Sequence, residues 1–109
     1  MSFNIEITAN FKRDSKRLLK KYGSLKNELE LLRSSLIENP FQGTPIGHNC
    51  YKIRFAIASK SKGKSGGARI ITNIKISHNT VYLLTIYDKA ELDNISDIDL
   101  TNLLQQLPD

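Results

Sequence analysis

Apolar positions along this chain change period several times, and each change marks an element. Ile5 and Ile7 alternate with Glu6 and Thr8, a period of two that predicts a short strand. From there the spacing turns helical. Phe11, Leu18, Leu19 and Tyr22 share one side, Lys12, Arg13, Lys16, Arg17, Lys20 and Lys21 fill most of the rest, Thr8 or Asn10 can cap the start, and Gly23 ends it. Leu25, Leu29, Leu32 and Leu36 then define a second helix from about Ser24, stopped at Asn39-Pro40 because proline disfavours helical geometry in the residue before it. Phe41 to Asn49, with Gly43, Pro45 and Gly47, is a loop by composition. Alternation returns in Tyr51, Ile53, Phe55 and Ile57, with Lys52 and Arg54 on the opposite side. It continues from Ala68 to Ser77, with Ile70, Thr72, Ile74 and Ile76 on one side and Arg69, Ile71, Asn73 and Lys75 on the other. Ser77-His78-Asn79-Thr80 reads as a tight turn into a returning strand, Val81 to Tyr87. Ser96 can cap a short last helix carrying Ile98, Leu100, Leu103, Leu104 and Leu107.

These elements predict an α+β fold. A helical hairpin covers the apolar face of a small, antiparallel-rich sheet, and the other face displays Lys52, Arg54 and Arg69. At 109 residues the chain is expected to be one domain, residues 1–109. The single Cys50 cannot form an internal disulfide, and His48 and His78 lack the neighbours a zinc site needs, so no metal or cofactor is expected. There is no basic start followed by an apolar run and no apolar stretch of membrane length, which fits a cytoplasmic protein.

Charge changes the picture more than composition does. Residues 1–87 hold fifteen Lys/Arg against five Asp/Glu, and residues 88–109 hold one lysine against six acids, for the net +5. A basic body with an acidic tail points to an anionic partner for one surface, most simply a nucleic acid. The stretch Lys60 to Arg69, K-S-K-G-K-S-G-G-A-R, concentrates that charge. Lys60, Lys62 and Lys64 alternate with small residues, so an extended loop would set three ammonium groups along one side, where they can follow a phosphate backbone. Gly63-Lys64-Ser65 imitates the end of a nucleotide-binding P-loop. Position 58, however, is Ala58 rather than glycine, and the residues after Ser65 are strand sequence rather than a helix start, so a nucleotide site is excluded.

With this order of elements and the strings Y-K-I-R-F, G-K-S-G-G-A-R-I-I and L-L-T-I-Y-D-K-A-E-L-D-N-I-S, the chain resembles the RelE/HigB toxins of bacterial type II toxin-antitoxin pairs, the HigB-like branch in particular. The resemblance covers most of residues 5 to 96. It implies a small cytoplasmic toxin that cuts messenger RNA on the ribosome, inhibits translation and arrests growth. An antitoxin, expected to be a helix-turn-helix protein with an acidic toxin-binding segment, would hold it inactive. By position, Lys52 and Arg54 correspond to the basic pair on the second strand and Arg69 to the arginine opening the third. Lys60, Lys62, Lys64 and Lys89 complete the phosphate-binding set.

Metal-free RNA cleavage by the ribose 2′-hydroxyl needs cations around the phosphorane, a base for the hydroxyl and an acid for the leaving oxygen. Arg54 and Arg69 can supply the first. Family members often carry a tyrosine or histidine near the C-terminus for proton transfer, but after Lys89 this chain has no Tyr, His or Arg. That leaves Tyr87, a loop lysine such as Lys62 or Lys64, or groups of the substrate and ribosome. Two other classes share the scaffold: a ParE-type gyrase inhibitor, and an RNA- or protein-binding module without chemistry. The lysine-glycine loop favours the nuclease, because gyrase inhibition needs no phosphate clamp in the sheet.

Overall fold

Thr8 turns the chain from its first strand into its first helix. Its Oγ1 accepts the Phe11 amide at 3.1 Å, capping the helix, while the same hydroxyl lies 3.2 Å from the Leu84 carbonyl of the last strand. The computed structural model describes residues 2–60 and 67–108. Its elements are β1 (Asn4–Ile7), α1 (Ala9–Lys21), α2 (Leu25–Glu38), β2 (Thr44–Gly47), β3 (Cys50–Phe55), β4 (Ala68–Lys75), β5 (Thr80–Asp88) and α3 (Asp97–Leu104). The strands form a sheet ordered β1-β5-β4-β3-β2, antiparallel except for the parallel pair β1 and β5. No helix among the described residues is long and apolar enough to cross a membrane.

The helical hairpin packs where the apolar spacing places it. Phe11, Leu18 and Tyr22 of α1 and its end, with Leu25, Leu32 and Leu36 of α2, meet Ile53, Phe55, Ile70, Ile74, Val81, Leu83 and Ile86 in one core. Leu19 falls outside it and is exposed. The parity expected for β4 holds from Ala68 to Lys75, but the strand ends there. Ile76 enters a 3-10 turn, Ile76–His78, and is 72% exposed rather than facing the helices.

The second face of the sheet is not bare. Leu100 and Leu103 of α3 lie against Cys50, Ile71, Tyr82, Leu84 and Tyr87, forming a second core on the face expected to display Lys52, Arg54 and Arg69. Only part of the apolar set expected for this helix is used, and Ile98 is 74% exposed.

Two further departures concern the strands. Within the expected loop from Phe41 to Asn49, Thr44–Gly47 forms an edge strand. Proline is tolerated there because one side of an edge needs no ladder donor. It joins β3 through His48 and Asn49, both left-handed at φ 56° and 59°, as a two-residue type I′ hairpin requires. Gly43 opens this edge at φ +100°, and a Cβ on it would stand 2.5 Å from the Lys52 carbonyl oxygen. Gly43→Ala should therefore destabilise the fold by about 1–3 kcal/mol or more, combining a disallowed backbone with a clash that neither chain can relieve by a rotamer change. A urea midpoint equal to that of the parent would contradict this.

The other departure is a bulge in β5. Ile71 pairs with Thr85 and Thr72 with Leu83, leaving Leu84 as the extra residue. Val81, Leu83 and Ile86 face the helical hairpin, whereas Tyr82, Leu84 and Tyr87 face α3. Strict alternation from Leu83 would have turned Tyr87 toward α1 and α2; the bulge turns it to the face of Arg69.

Candidate functional site

Register brings three of the candidate residues into one row. Arg54 of β3 pairs with Arg69 of β4, and Arg69 pairs with Tyr87 of β5. Residues directly opposite each other point to the same face with Cβ atoms about 5 Å apart. Lys52, two residues before Arg54, shares that face, in register with Ile71 and Thr85. Two arginines opposite one another on a ladder repel. An anion seated between them converts the repulsion into attraction, so the row is chemically suited to a phosphate.

The members of the row differ in exposure. Arg54 is exposed and Lys52 half-buried, but Arg69 and Tyr87 are only 5% and 6% exposed. The expectation that this face displays Arg69 openly is thus corrected: the guanidinium is tucked in, with Nη1 donating to the Ala68 carbonyl at 3.1 Å. Tyr87 carries a hydroxyl that is buried with no hydrogen-bond partner among the described residues. Burial pushes its pKa up. The Arg69 charge opposes that most, the Ile95 main chain also pulls it down without reaching hydrogen-bond geometry, and the Asp93 charge adds to the rise. Tyr87 is a neutral phenol at pH 7, able to give a proton and ill suited to take one.

Lys89 follows at the end of β5, its amide donating to the Gly67 carbonyl at 3.1 Å. The basic loop therefore leaves and re-enters the sheet beside Arg54, Arg69 and Lys89. Lys60 closes the 3-10 turn Ala58–Lys60, and Lys62 and Lys64 lie outside the described residues. His48 and His78 sit in the turns at the opposite end of the sheet, away from the row.

Several neighbours were not anticipated from sequence. Asp88, 1% exposed, accepts from the Tyr22 hydroxyl at 2.8 Å and the Ala90 amide at 2.9 Å, fixing the turn that follows Tyr87. Asn94 accepts from Lys52 Nζ at 3.2 Å, and Asp93 pairs with Lys89. Glu91 pairs with Arg17 of α1 at 3.0 Å.

No protein-family model matches the sequence. Solved structures do. An arginine-to-alanine double mutant of the E. coli toxin RelE in the free state superposes with a TM-score of 0.62 at 14% identity, covering 99% of this chain and 100% of that one. The chain has the RelE fold. The isolated E. coli RelE toxin gives a TM-score of 0.58 at 15% identity over 97% and 100% of the two chains. A chain of the Mycobacterium tuberculosis toxin-antitoxin complex RelBE2 gives 0.61 at 20% identity over 83% and 94%. At these identities the likeness shows the RelE fold alone.

Proposed function

We propose that this chain is the toxin of a type II toxin-antitoxin pair, in its finer assignment HigB-like, and that it is a metal-independent endoribonuclease which cuts messenger RNA on the ribosome and stops translation. The observation that carries this reading is the row Arg54, Arg69 and Tyr87 across three adjacent strands, on a scaffold similar to that of the RelE toxins. Arg54 and Arg69 hold the scissile phosphate and neutralise the charge that grows on its non-bridging oxygens as the 2′-hydroxyl attacks phosphorus. Tyr87 gives its proton to the departing 5′-oxygen, leaving a 2′,3′-cyclic phosphate on one fragment and a 5′-hydroxyl on the other. The proton of the 2′-hydroxyl goes to a group of the substrate or of the ribosomal complex, because Lys62 and Lys64 as ammonium ions have no lone pair to take it. Lys52, Lys60 and Lys89 neutralise flanking phosphates. Because one of the similar structures is a toxin-antitoxin complex, an antitoxin with an acidic binding segment is the partner this basic surface would take.

Inducing the chain alone should stop labelled amino-acid incorporation within minutes while plasmid supercoiling stays normal. Early loss of supercoiling with incorporation falling late would replace this reading with gyrase inhibition. An effect on neither would leave a binding module without chemistry.

A further inference from the structure

Past β5 the chain does not leave the cationic face but crosses it. The Asp88 carboxylate and carbonyl close the turn, accepting from the Ala90 amide at 2.9 Å and the Leu92 amide at 3.0 Å. Glu91 anchors the turn to Arg17 of α1 through both carboxylate oxygens, at 3.0 and 3.1 Å. Three consecutive residues then engage the candidate site. Asp93 pairs with Lys89, Asn94 Oδ1 accepts a hydrogen bond from Lys52 Nζ at 3.2 Å, and Ile95 packs against the cluster that contains Tyr87. Arg69 and Tyr87, both expected to meet RNA, are buried in this arrangement.

We propose that residues 89–95 form an internal strap in which Asp93 stands at the cationic face as a substitute for an RNA phosphate, Asn94 occupies Lys52, and Ile95 covers Tyr87, so that RNA must displace the strap to reach the row. The inference rests on the reading of that face as a phosphate seat. The charge field around Asp93 agrees with it: Lys89 above all, then Lys52 and Arg69, hold its carboxyl below the ordinary carboxylate range. Its side chain is 83% exposed, which puts the carboxylate where an incoming phosphate would arrive from solvent. An ion pair this exposed is weak, and weakness suits a strap that a polyanion has to lift. The sequence supplies the competitor in the same acidic segment that follows the basic body.

A short 2′-O-methyl oligoribonucleotide, which lacks the nucleophile and cannot be cut, tests this by fluorescence anisotropy. Asp93→Asn should tighten its binding about two- to fivefold, the scale of one exposed ion pair, and Asn94→Ala should also tighten it although no charge changes. Glu38→Gln at the end of α2 makes the same charge change as Asp93→Asn on the helical layer and should shift binding less than about 1.5-fold at moderate salt, where distant charges are screened. Hydrogen exchange gives a second readout. Oligonucleotide binding to the parent should speed deuteration of residues 89–95, whereas protection there would overturn the strap. If Arg54→Ala weakens binding but neither Asp93→Asn nor Asn94→Ala tightens it, the phosphate seat stands and the strap falls. If Arg54→Ala binds as the parent does, the seat itself fails and takes the strap with it.

Discussion

Replacing Arg69 with alanine is expected to slow single-turnover cleavage by about a hundredfold or more while leaving affinity for programmed ribosomes within a few fold. The magnitude is that of removing one preorganised donor from a developing oxyanion. Preorganisation is what separates Arg69 from the other cations. It stands at the start of β4, a central strand, with neighbours in register on both sides, Arg54 and Tyr87, and is 5% exposed, so its guanidinium has little freedom to lose when the transition state forms. Arg54 is exposed and on the outer side of the row, and its loss should fall more heavily on binding. Arg69→Lys keeps the charge but not the planar fork that meets two phosphate oxygens, and should recover only part of the rate. Ribosomes carrying a short message with one cleavage site provide the assay. If Arg69→Ala reached the parent rate at saturation, Arg69 would be a positioning residue and the row would not be the catalytic centre.

Why Arg69 could be singled out from sequence, and Tyr87 less firmly, follows from how strands encode faces. In β3 alternation of Tyr51, Ile53 and Phe55 with Lys52 and Arg54 fixes which side each occupies, in β4 Arg69 takes the side opposite Ile70, Thr72 and Ile74, and the structure keeps that parity. In β5 every residue is buried and apolar side chains fall on both faces, so alternation carries no information there. The adjacent Leu83-Leu84 pair is the one mark of the bulge that turns Tyr87 to Arg69. The cover over the second face was also hidden. Leu100 and Leu103 advertise an apolar side for α3, but nothing local says which surface that side will meet. β2 escaped because Pro45 and the glycines around it argue for a loop, and only pairing with β3 makes an edge strand of them. The contacts of Asp93 and Asn94 depend on where the chain runs after β5, a tertiary matter that residue spacing does not encode.

Tyr87→Phe should produce a signature that a structural tyrosine would not: activity falls while stability holds or rises. A general acid contributes about 10²- to 10⁴-fold, so single-turnover cleavage should drop by at least the lower figure. The phenol hydroxyl is buried with no hydrogen-bond partner among the described residues, and an unsatisfied buried polar group costs about 1–3 kcal/mol, so deleting the oxygen removes a penalty in the resting fold. The pH dependence has a definite sign. Burial raises the Tyr87 pKa, so the folded state favours the protonated phenol. Tyr87 therefore stays loaded as an acid through neutral pH, and its contribution should be lost only above the ordinary tyrosine range, near pH 10 and beyond. By the same linkage the parent should lose stability as pH rises from about 10 toward the raised folded value, and Tyr87→Phe should lose less over that interval. Thermal melts and cleavage rates measured together between pH 7 and 11 check both limbs. If Tyr87→Phe lowered the melting temperature and its rate stayed within about threefold of the parent, well short of the loss expected for a general acid, Tyr87 would be packing for α3 and the proton of the leaving group would have to come from the loop lysines.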